Sequence, residues 1–521
     1  MSLEQRINCL SQLLLKKEIF NFDNFLAELQ TLIIDNSEKI TYLYLILLAR
    51  YPSVEEIEFA KFQLQFSPIQ KIADFIKQSN EYNQLIKTAN VEYQLIITDS
   101  NAVYLDSTGT LYAPFNTGIQ RVARSLFENL INSDTSIYFY ATIGNSLRPY
   151  LLPEQLKDKL LNWNKEVLYK KNNQHLTKNI LNSLRTIYKQ FFANKFVDNI
   201  RRPIQEHFFN QLHKPKGIIQ IPVFKTNSSI LLVEVLLSKG RESLYASLNN
   251  IFDLNLSMII YDLLPITRAE FFTEEMTSAF AEYLKLLRYV DKISCISASV
   301  QLDVENFIEC LNTKNKPLIK THLLAGLEEQ NTITNTHCKQ IDIPLILSIG
   351  TIEPRKNHLN LLRSAYSLWE KGLKFKLHFI GVLGWKSASF IKEFTQYQKK
   401  YPEYLQYLNH IDDNTLKILY KECKATVFIS WAEGFGLPIL ESLSSGKPCI
   451  TTNYGSMKEI ADKTGGCILV NPSCIEDIAK SLEVILIDQT KYNQLKEEIN
   501  SFQWHSWKDY SKEILDFVLL D

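Results

Sequence analysis

The spacing of apolar residues changes character near residue 91. Before it, Leu10, Leu13, Leu14 and Phe20, then Phe25, Leu26, Leu29 and Leu32, recur at helical intervals, which predicts helices throughout 1–90. The apolar stretch Tyr42–Ala49 ends at Arg50-Tyr-Pro52, and Ser53-Val-Glu-Glu56 forms a capping box that opens the next helix. A further segment runs from Ile72 to Tyr82. Beyond 91 the apolar runs become short and end in polar, proline or glycine turns, the mark of buried strands alternating with crossover helices. One set comprises Tyr93–Ile97, Val103–Asp106, Gly217–Pro222, Ser229–Val233, Leu256–Tyr261 and Lys292–Ser297. A second comprises Leu345–Gly350, Lys376–Gly381, Tyr407–Ile411, Ala425–Ser430, Cys449–Thr452 and Cys467–Val470. Polar, irregular residues near 313–342 are the expected linker, and Trp504–Leu520 reads as a final amphipathic helix.

The chemistry concentrates after the strand Ala425–Ile429, in the string Ser430-Trp-Ala-Glu433-Gly434-Phe435-Gly436-Leu437-Pro438-Ile-Leu-Glu441. Pro438 suits the first helical position, and Gly446 with Pro448 stops the helix. A strand, a glycine turn and a helix N-terminus make a docking edge for an anion or a sugar. Glu433 lies on the loop and Glu441 eight residues on, in the helix. Either acid alone could be a solvated residue favoured by the helix dipole; the whole string is more specific. The turn after Leu345–Ile349 carries Gly350, Thr351, Arg355 and Lys356, and two cations at a strand-to-helix turn suit a diphosphate. Tyr261-Asp262 closes another strand before Pro265, which puts Asp262 at the ligand edge of its sheet. Gly118 opens a helix bearing Arg121 and Arg124 one turn apart, as surface charge or as phosphate or acceptor contacts.

The string Glu-Gly-Phe-Gly-Leu-Pro-x-x-Glu resembles the Glu-x7-Glu signature of retaining, family 4-type (group 1) glycosyltransferases of the GT-B fold. The resemblance covers about residues 95–515 and is strongest from 345 to 472. It implies an α/β fold of two Rossmann-like domains facing a cleft, here with an added N-terminal all-helical domain. It implies that Glu433 faces the donor sugar and Glu441 the nucleotide ribose, with Gly434, Phe435, Gly436, Leu437, Gly350 and Thr351 also on the donor. Arg355 and Lys356 would stabilise the leaving diphosphate, Asp262 and Gly118 would line the acceptor side of the cleft, and Arg121 and Tyr261 would touch the acceptor. Where many members carry His before Asp262 this chain has Tyr261, and Thr351 occupies the family's usual arginine position. The Thr117-Gly-Ile-Gln-Arg-Val122 string resembles the N-domain loop of polysaccharide-assembly members. Residues 1–90 loosely resemble a small helical domain of bacterial surface and secreted proteins.

Composition adds limits. Lys plus Arg number 57 and Asp plus Glu 57, so no global charge argues for nucleic acid. The eight cysteines form no C-x-x-C pair, and Cys295, Cys449 and Cys467 fall in apolar runs as expected buried thiols. No Asp-x-Asp pair stands at a strand end, so no obligatory metal is expected. Residues 151–216 carry thirteen cations against five acids with interleaved aromatics: a solvated helical insertion, a contact for an anionic membrane or lipid-linked acceptor, or, last of the three, a nucleic-acid contact. No leader pattern and no spanning apolar run is seen, which predicts a cytoplasmic protein, peripheral to the inner membrane face at most.

The expected organisation is therefore a helical accessory domain at 1–90 and an acceptor domain at 91–330 with the basic insertion. A nucleotide-sugar domain at 331–500 and a helix at 501–521 that crosses back to the N-terminal lobe complete it. The expected activity is transfer of a hexose, with mannose favoured, from GDP-mannose or a UDP-sugar to a saccharide or lipid-linked acceptor in surface-polysaccharide synthesis, with a protein partner on residues 1–90. The alternatives are a catalytically silent adaptor of the same fold, or a GT-B enzyme of different outcome such as an epimerase or sucrose-type transferase.

Overall fold

The computed structural model describes residues 3–32, 34–87, 91–99, 101–112, 118–142, 148–161, 217–235, 237, 241–311, 316–326, 343–409 and 411–520. The loop before Gly118, most of the basic insertion and the greater part of the expected linker lie outside the described residues. The chain forms two compact units: Met1–Ile259 with Ala281–Lys292 and Val518–Asp521, and Ile260–Phe280 with Ile293–Phe517.

The first unit opens with helices Leu3–Leu15, Phe22–Thr31, Asn36–Leu48, Val54–Leu64, Ile69–Gln78 and Asn80–Lys87. Their starts are capped as the polar punctuation requires. Asn21 accepts from the amides of Asp23 and Asn24, and Ser53 and Glu56 form the reciprocal capping box. Arg50 then holds the helices together, donating to Glu56 at 2.7 Å and to Glu81 at 2.9 Å. The next two residues fasten this bundle to the α/β layer. The Tyr51 hydroxyl donates to the Pro222 carbonyl (2.9 Å) and accepts from the Phe224 amide (3.0 Å), while Ser247 donates to the Pro52 carbonyl.

Behind the bundle, β1 (Val91–Ile97) pairs in parallel with β5 (Gly217–Val223). β2 (Val103–Asp106), β3 (Ile137–Thr142), β4 (Pro149–Leu151), β6 (Ser229–Leu232) and β7 (Asn255–Ile260) run in the order β4-β3-β2-β6-β7, with only the β3–β4 pair antiparallel. All four residues of β2 are buried, Val103–Leu105 as a largely apolar run and Asp106 as a carboxylate paired with Arg241.

In the second unit, β8 (Lys292–Cys295, Lys292 apart) and β9 (Leu318–Thr321) flank the helix Ala298–Leu311. β9 falls inside the stretch expected to be linker. Its residues alternate between exposed and half-buried, so no apolar run marked it. A six-stranded parallel sheet follows: β10 (Leu345–Ile349), β11 (Lys376–Ile380), β12 (Leu405–Leu408), β13 (Ala425–Phe428), β14 (Cys449–Thr452) and β15 (Cys467–Val470), in the order β12-β11-β10-β13-β14-β15. Leu347, Leu377, Phe379, Val427 and Ile450 are buried in it, and helices His358–Glu370 and Ile475–Ile487 cover one face with Leu361, Leu362, Ile478 and Leu482. Each such side chain contributes about 1.5–3 kcal/mol on burial. Cys295 and Cys449 are buried thiols and Cys467 is half-buried. Parallel sheets wound with helices in each unit, plus an N-terminal helical region, make this an α/β chain. Among the described residues no helix is long and apolar enough to cross a membrane.

Candidate active site

Strand order places the site. In the second unit the chain fills β10, β11 and β12 outward to one side, then returns to β13 on the other side of β10. Between β10 and β13 the winding direction reverses, and open α/β sheets bind ligands outside the carboxyl ends of strands at such a point. The two loops that leave those ends are Gly350–Asn357 and Ile429–Gly436.

The first loop is tight. Gly350 takes φ +151°, and a Cβ on neighbouring Gly381 would stand 2.0 Å from the Gly350 carbonyl oxygen, so these two backbones touch. Pro354–Lys356 is a single 3-10 turn, and Asn357, at φ +58°, starts the helix and donates to the Pro472 carbonyl at 2.8 Å. That turn presents Arg355 and Lys356 together. Both reach Glu433 on the second loop: Arg355 Nη1 lies 2.8 Å from Oε2 and Lys356 Nζ 2.6 Å from Oε1. Arg355 also donates to Glu353 (2.8 Å) and to the Ala432 carbonyl (2.7 Å), and Lys356 sits 4.8 Å from the centre of the Phe428 ring.

The second loop is pressed against Tyr261-Asp262. A Cβ on Gly434 would stand 1.9 Å from the Tyr261 carbonyl oxygen and 2.9 Å from Asp262 Cβ, so only glycine admits this approach. Ser297 donates to the Gly434 carbonyl at 2.7 Å, and the Ser456 hydroxyl shares its one proton between the carbonyls of Glu433 and Phe435, each 2.8 Å away. Gly436, at φ +130°, leads into the helix Leu437–Ser444 with Pro438 in its first turn.

The electrostatics follow from crowding. Burial pushes the Glu433 carboxyl up, but Arg355 and Lys356 outweigh it and hold it down at about 2. Burial pulls the Lys356 ammonium below its ordinary value, with Arg355 adding to the effect. Asp262 is raised by burial against the opposing pull of Arg355, and Glu353 is raised the same way. His358 follows the turn and packs on Phe379 and Phe390; burial lowers it to about 3 and keeps it neutral. Three carboxylates therefore surround two cations, and one of them, Glu433, occupies both cations at once.

Of the residues expected at the site, the structure gathers Arg355, Lys356, Glu433, Gly434, Asp262 and Tyr261, with Gly350 at the adjoining strand end. Phe435 and Gly436 are buried in the same loop, and Thr351 and Leu437 are half-buried at its rims. Glu441 stands a full helical turn further on, buried, with the Tyr420 hydroxyl donating to Oε2 at 2.9 Å. Gly118 and Arg121 belong to the first unit, where Gly118 is exposed at the start of its helix. Arg124 does not share the half-exposed setting of Arg121. It is buried and donates to the carbonyls of Leu160 (3.0 Å) and Thr110 (3.2 Å), a structural role in place of the acceptor contact weighed for it. The sequence assigned no role to Glu353 or Ser297, whereas the turn Asn453–Met457 that carries Ser456 was expected to touch donor phosphates or sugar. Glu353 stood two residues before Arg355, which was the only signal for it; Ser297 comes from a distant segment and carried none.

Residues 330–502 match the family model described as glycosyl transferases group 1, so the second unit carries a domain of that family, the one the Glu433–Glu441 string resembles. Among curated relatives, the serotype-specific mannosyltransferase WbdA of Escherichia coli is 30% identical over 275 residues, covering 49% of this chain and 32% of its own length. The O-antigen chain mannosyltransferase B of Escherichia coli is 32% identical over 146 residues, 28% of this chain and 37% of its own. The chain thus spans about a third of the length of the curated relatives it matches. A solved structure of Anabaena Alr3699/HepE in complex with UDP and glucose aligns over 80% of this chain and 98% of its own, at 12% identity and a TM-score of 0.48.

Proposed function

We propose that this chain is a retaining glycosyltransferase that moves a hexose, mannose by preference, from a nucleoside-diphosphate sugar to a saccharide or lipid-linked saccharide of a cell-surface polysaccharide. The observation that carries the reading is the convergence of Arg355 and Lys356 on one point at the switch of a group 1 domain. The donor's diphosphate brings negative charge to cations that Glu433 holds in the free protein. On binding it takes over part of their hydrogen bonding and frees the Glu433 carboxylate toward the sugar. As the sugar–oxygen bond breaks, charge grows on the departing phosphate, and the two fixed cations stabilise it without reorganising. Asp262, wedged beside Gly434, faces the acceptor side, and the leaving phosphate itself takes the acceptor proton. Glu441 holds the ribose, supported by Tyr420.

Mannose is favoured because the relatives named above are mannosyltransferases, so GDP-mannose is the first donor to test. Thermal shift against GDP-mannose, UDP-glucose and UDP-N-acetylglucosamine should single out one stabiliser, by about 2.7 kcal/mol at a hundredfold excess over its dissociation constant. Turnover of that donor should then vanish in Glu433→Gln. Equal background turnover in the two proteins would favour the silent adaptor instead. The basic segment 151–216 is proposed to meet an anionic membrane on its cytoplasmic side. Residues 1–90 are proposed to meet a protein partner, a reading supported by the exposed Phe59, Phe62, Phe66 and Phe75.

A further inference from the structure

A second opening in the same unit lies apart from the Glu433 cluster. It is a cavity of about 450 Å3, within the ~300–1,000 Å3 range of small-molecule sites. Its walls come from the residues after β9, from the helix Gly455–Thr464, and from Phe502–His505 ahead of the helix Trp507–Val518. Trp504 is half-buried in the wall, edge-to-face with Phe502 at 5.0 Å, and Phe435 and Leu440 add further apolar surface. Gly326 also lies in the wall, where a Cβ would press on the Ser444 side chain at 3.3 Å and meet the indole in ordinary contact at 3.5 Å.

The polar groups are sparse and specific. His505 Nε2 is buried and has no hydrogen-bond partner among the described residues. It stands 3.7 Å from Glu513 Oε2, too far for a direct hydrogen bond. A hydroxyl set between the two would serve both. His322 contributes a ring whose Nδ1 is already engaged with Ser294 Oγ at 2.9 Å. Glu459 is likewise committed, accepting from the amides of Ala298 and Ser299. Among the described residues Lys463 is the one lysine of a lining that also holds the carboxylates Glu459 and Glu513, a balance that disfavours a polyphosphate. A half-buried aromatic face beside an unpartnered imidazole nitrogen and a carboxylate suits a ring that is apolar on one side and hydroxylated at its edge.

We propose that this cavity is a saccharide pocket distinct from the donor site, holding an uncharged sugar ring against Trp504 with a hydroxyl bridging His505 and Glu513. The floor residue Phe435 directly follows Glu433 and Gly434, so an occupant sits behind the donor loop. The inference does not depend on which sugar is transferred.

Saturation-transfer NMR on the full chain with methyl α-mannoside, methyl α-glucoside and a mannobiose tests it. At least one of these should receive saturation at its ring protons, equally in wild type and Glu433→Gln and unaffected by added GDP or UDP. Trp504→Ala should weaken that binding about fivefold or more, as should His505→Ala, which leaves the indole in place if the first variant fails to fold. No transfer to any of the three sugars at millimolar concentration, or transfer unchanged in a folded His505→Ala protein, would overturn the pocket. Signal lost in Glu433→Gln or displaced by the nucleotide would assign the sugar to the donor site instead.

Discussion

Each unit has a point where its winding reverses, and each places a glutamate there, yet the two carboxyls are driven in opposite directions. In the first unit the reversal lies between β2 and β6, and Glu234 follows β6. Burial raises its carboxyl to about 8, against the hydrogen bond from the Thr110 amide at 2.7 Å. In the second unit Glu433 is held down at about 2 by two cations. The cation at the first reversal, Arg241, is committed to Asp106 instead, and Tyr245 donates to the same carboxylate. Side-chain exposure there is 6% for Arg241 and 1% for Asp106, against 13%, 15% and 10% for Arg355, Lys356 and Glu433. One reversal is sealed by an internal ion pair; the other is left able to exchange its counterion. On the proposed reading, the same topological position serves as a strut in one unit and as a site in the other.

Removing the cations should separate these roles most clearly. Arg241→Ala leaves Asp106 buried without its partner, which typically costs about 3–5 kcal/mol, so the expected result is a large drop in the urea midpoint. Arg355→Ala should cost less stability, because its surroundings are more open, while donor turnover falls about 10²–10³-fold. The two variants are compared by denaturation curves and by single-turnover kinetics. A stable Arg241→Ala protein that has lost turnover would erase the distinction between the units.

The next effects concern the loop itself. Gly434→Ala forces a shift of about an ångström against Tyr261, a displacement that can cost about 10²-fold in rate. The melting temperature should change far less than the rate, since the clash is relieved by moving a loop rather than the core. Ser456→Ala removes the one hydroxyl proton shared between two carbonyls of the same loop, at about 0.5–1.5 kcal/mol. It should lower kcat by about tenfold or less, read from initial rates at saturating donor.

Much of the second reversal was legible beforehand. Glycine and proline punctuation located the turn, the apolar runs located its strands, and cations at the neighbouring turn stood out because both chemistries are local in the chain. Asp262 was visible as an acid ending an apolar strand. Its contact with Gly434 was not, because that approach depends on the packing of segments far apart in sequence. The first reversal was illegible for the same reason. Asp106 and Arg241 are 135 residues apart, and neither sits in a pattern that announces a partner. Glu234 directly follows the apolar run Ser229–Val233 and was given no role from the sequence. The strand Leu318–Thr321 was hidden by its half-exposed face, and Arg124 was misread because helical spacing sets direction but not burial.

The smallest effect, and the sharpest test of the opposition between the two glutamates, is in pH. Glu433 is depressed below its unfolded value of about 4.3, so its contribution is present above that pH and lost as pH falls toward 2. Glu234 is raised, so its contribution is present below about 4.3 and lost as pH climbs toward 8. Each single proton can tilt stability by at most about 1.4 kcal/mol per pH unit. Wild-type melting temperature should therefore fall between pH 5 and pH 8, and Glu234→Gln should flatten that fall and leave the protein the more stable of the two at pH 8. Glu433→Gln should leave the alkaline side unchanged and flatten the acid side between pH 4 and pH 2. A Glu234→Gln protein with the same pH profile as wild type would mean that Glu234 is already charged at neutral pH. In that case the first reversal would hold an open anion, as the second does, and the contrast between strut and site would fail.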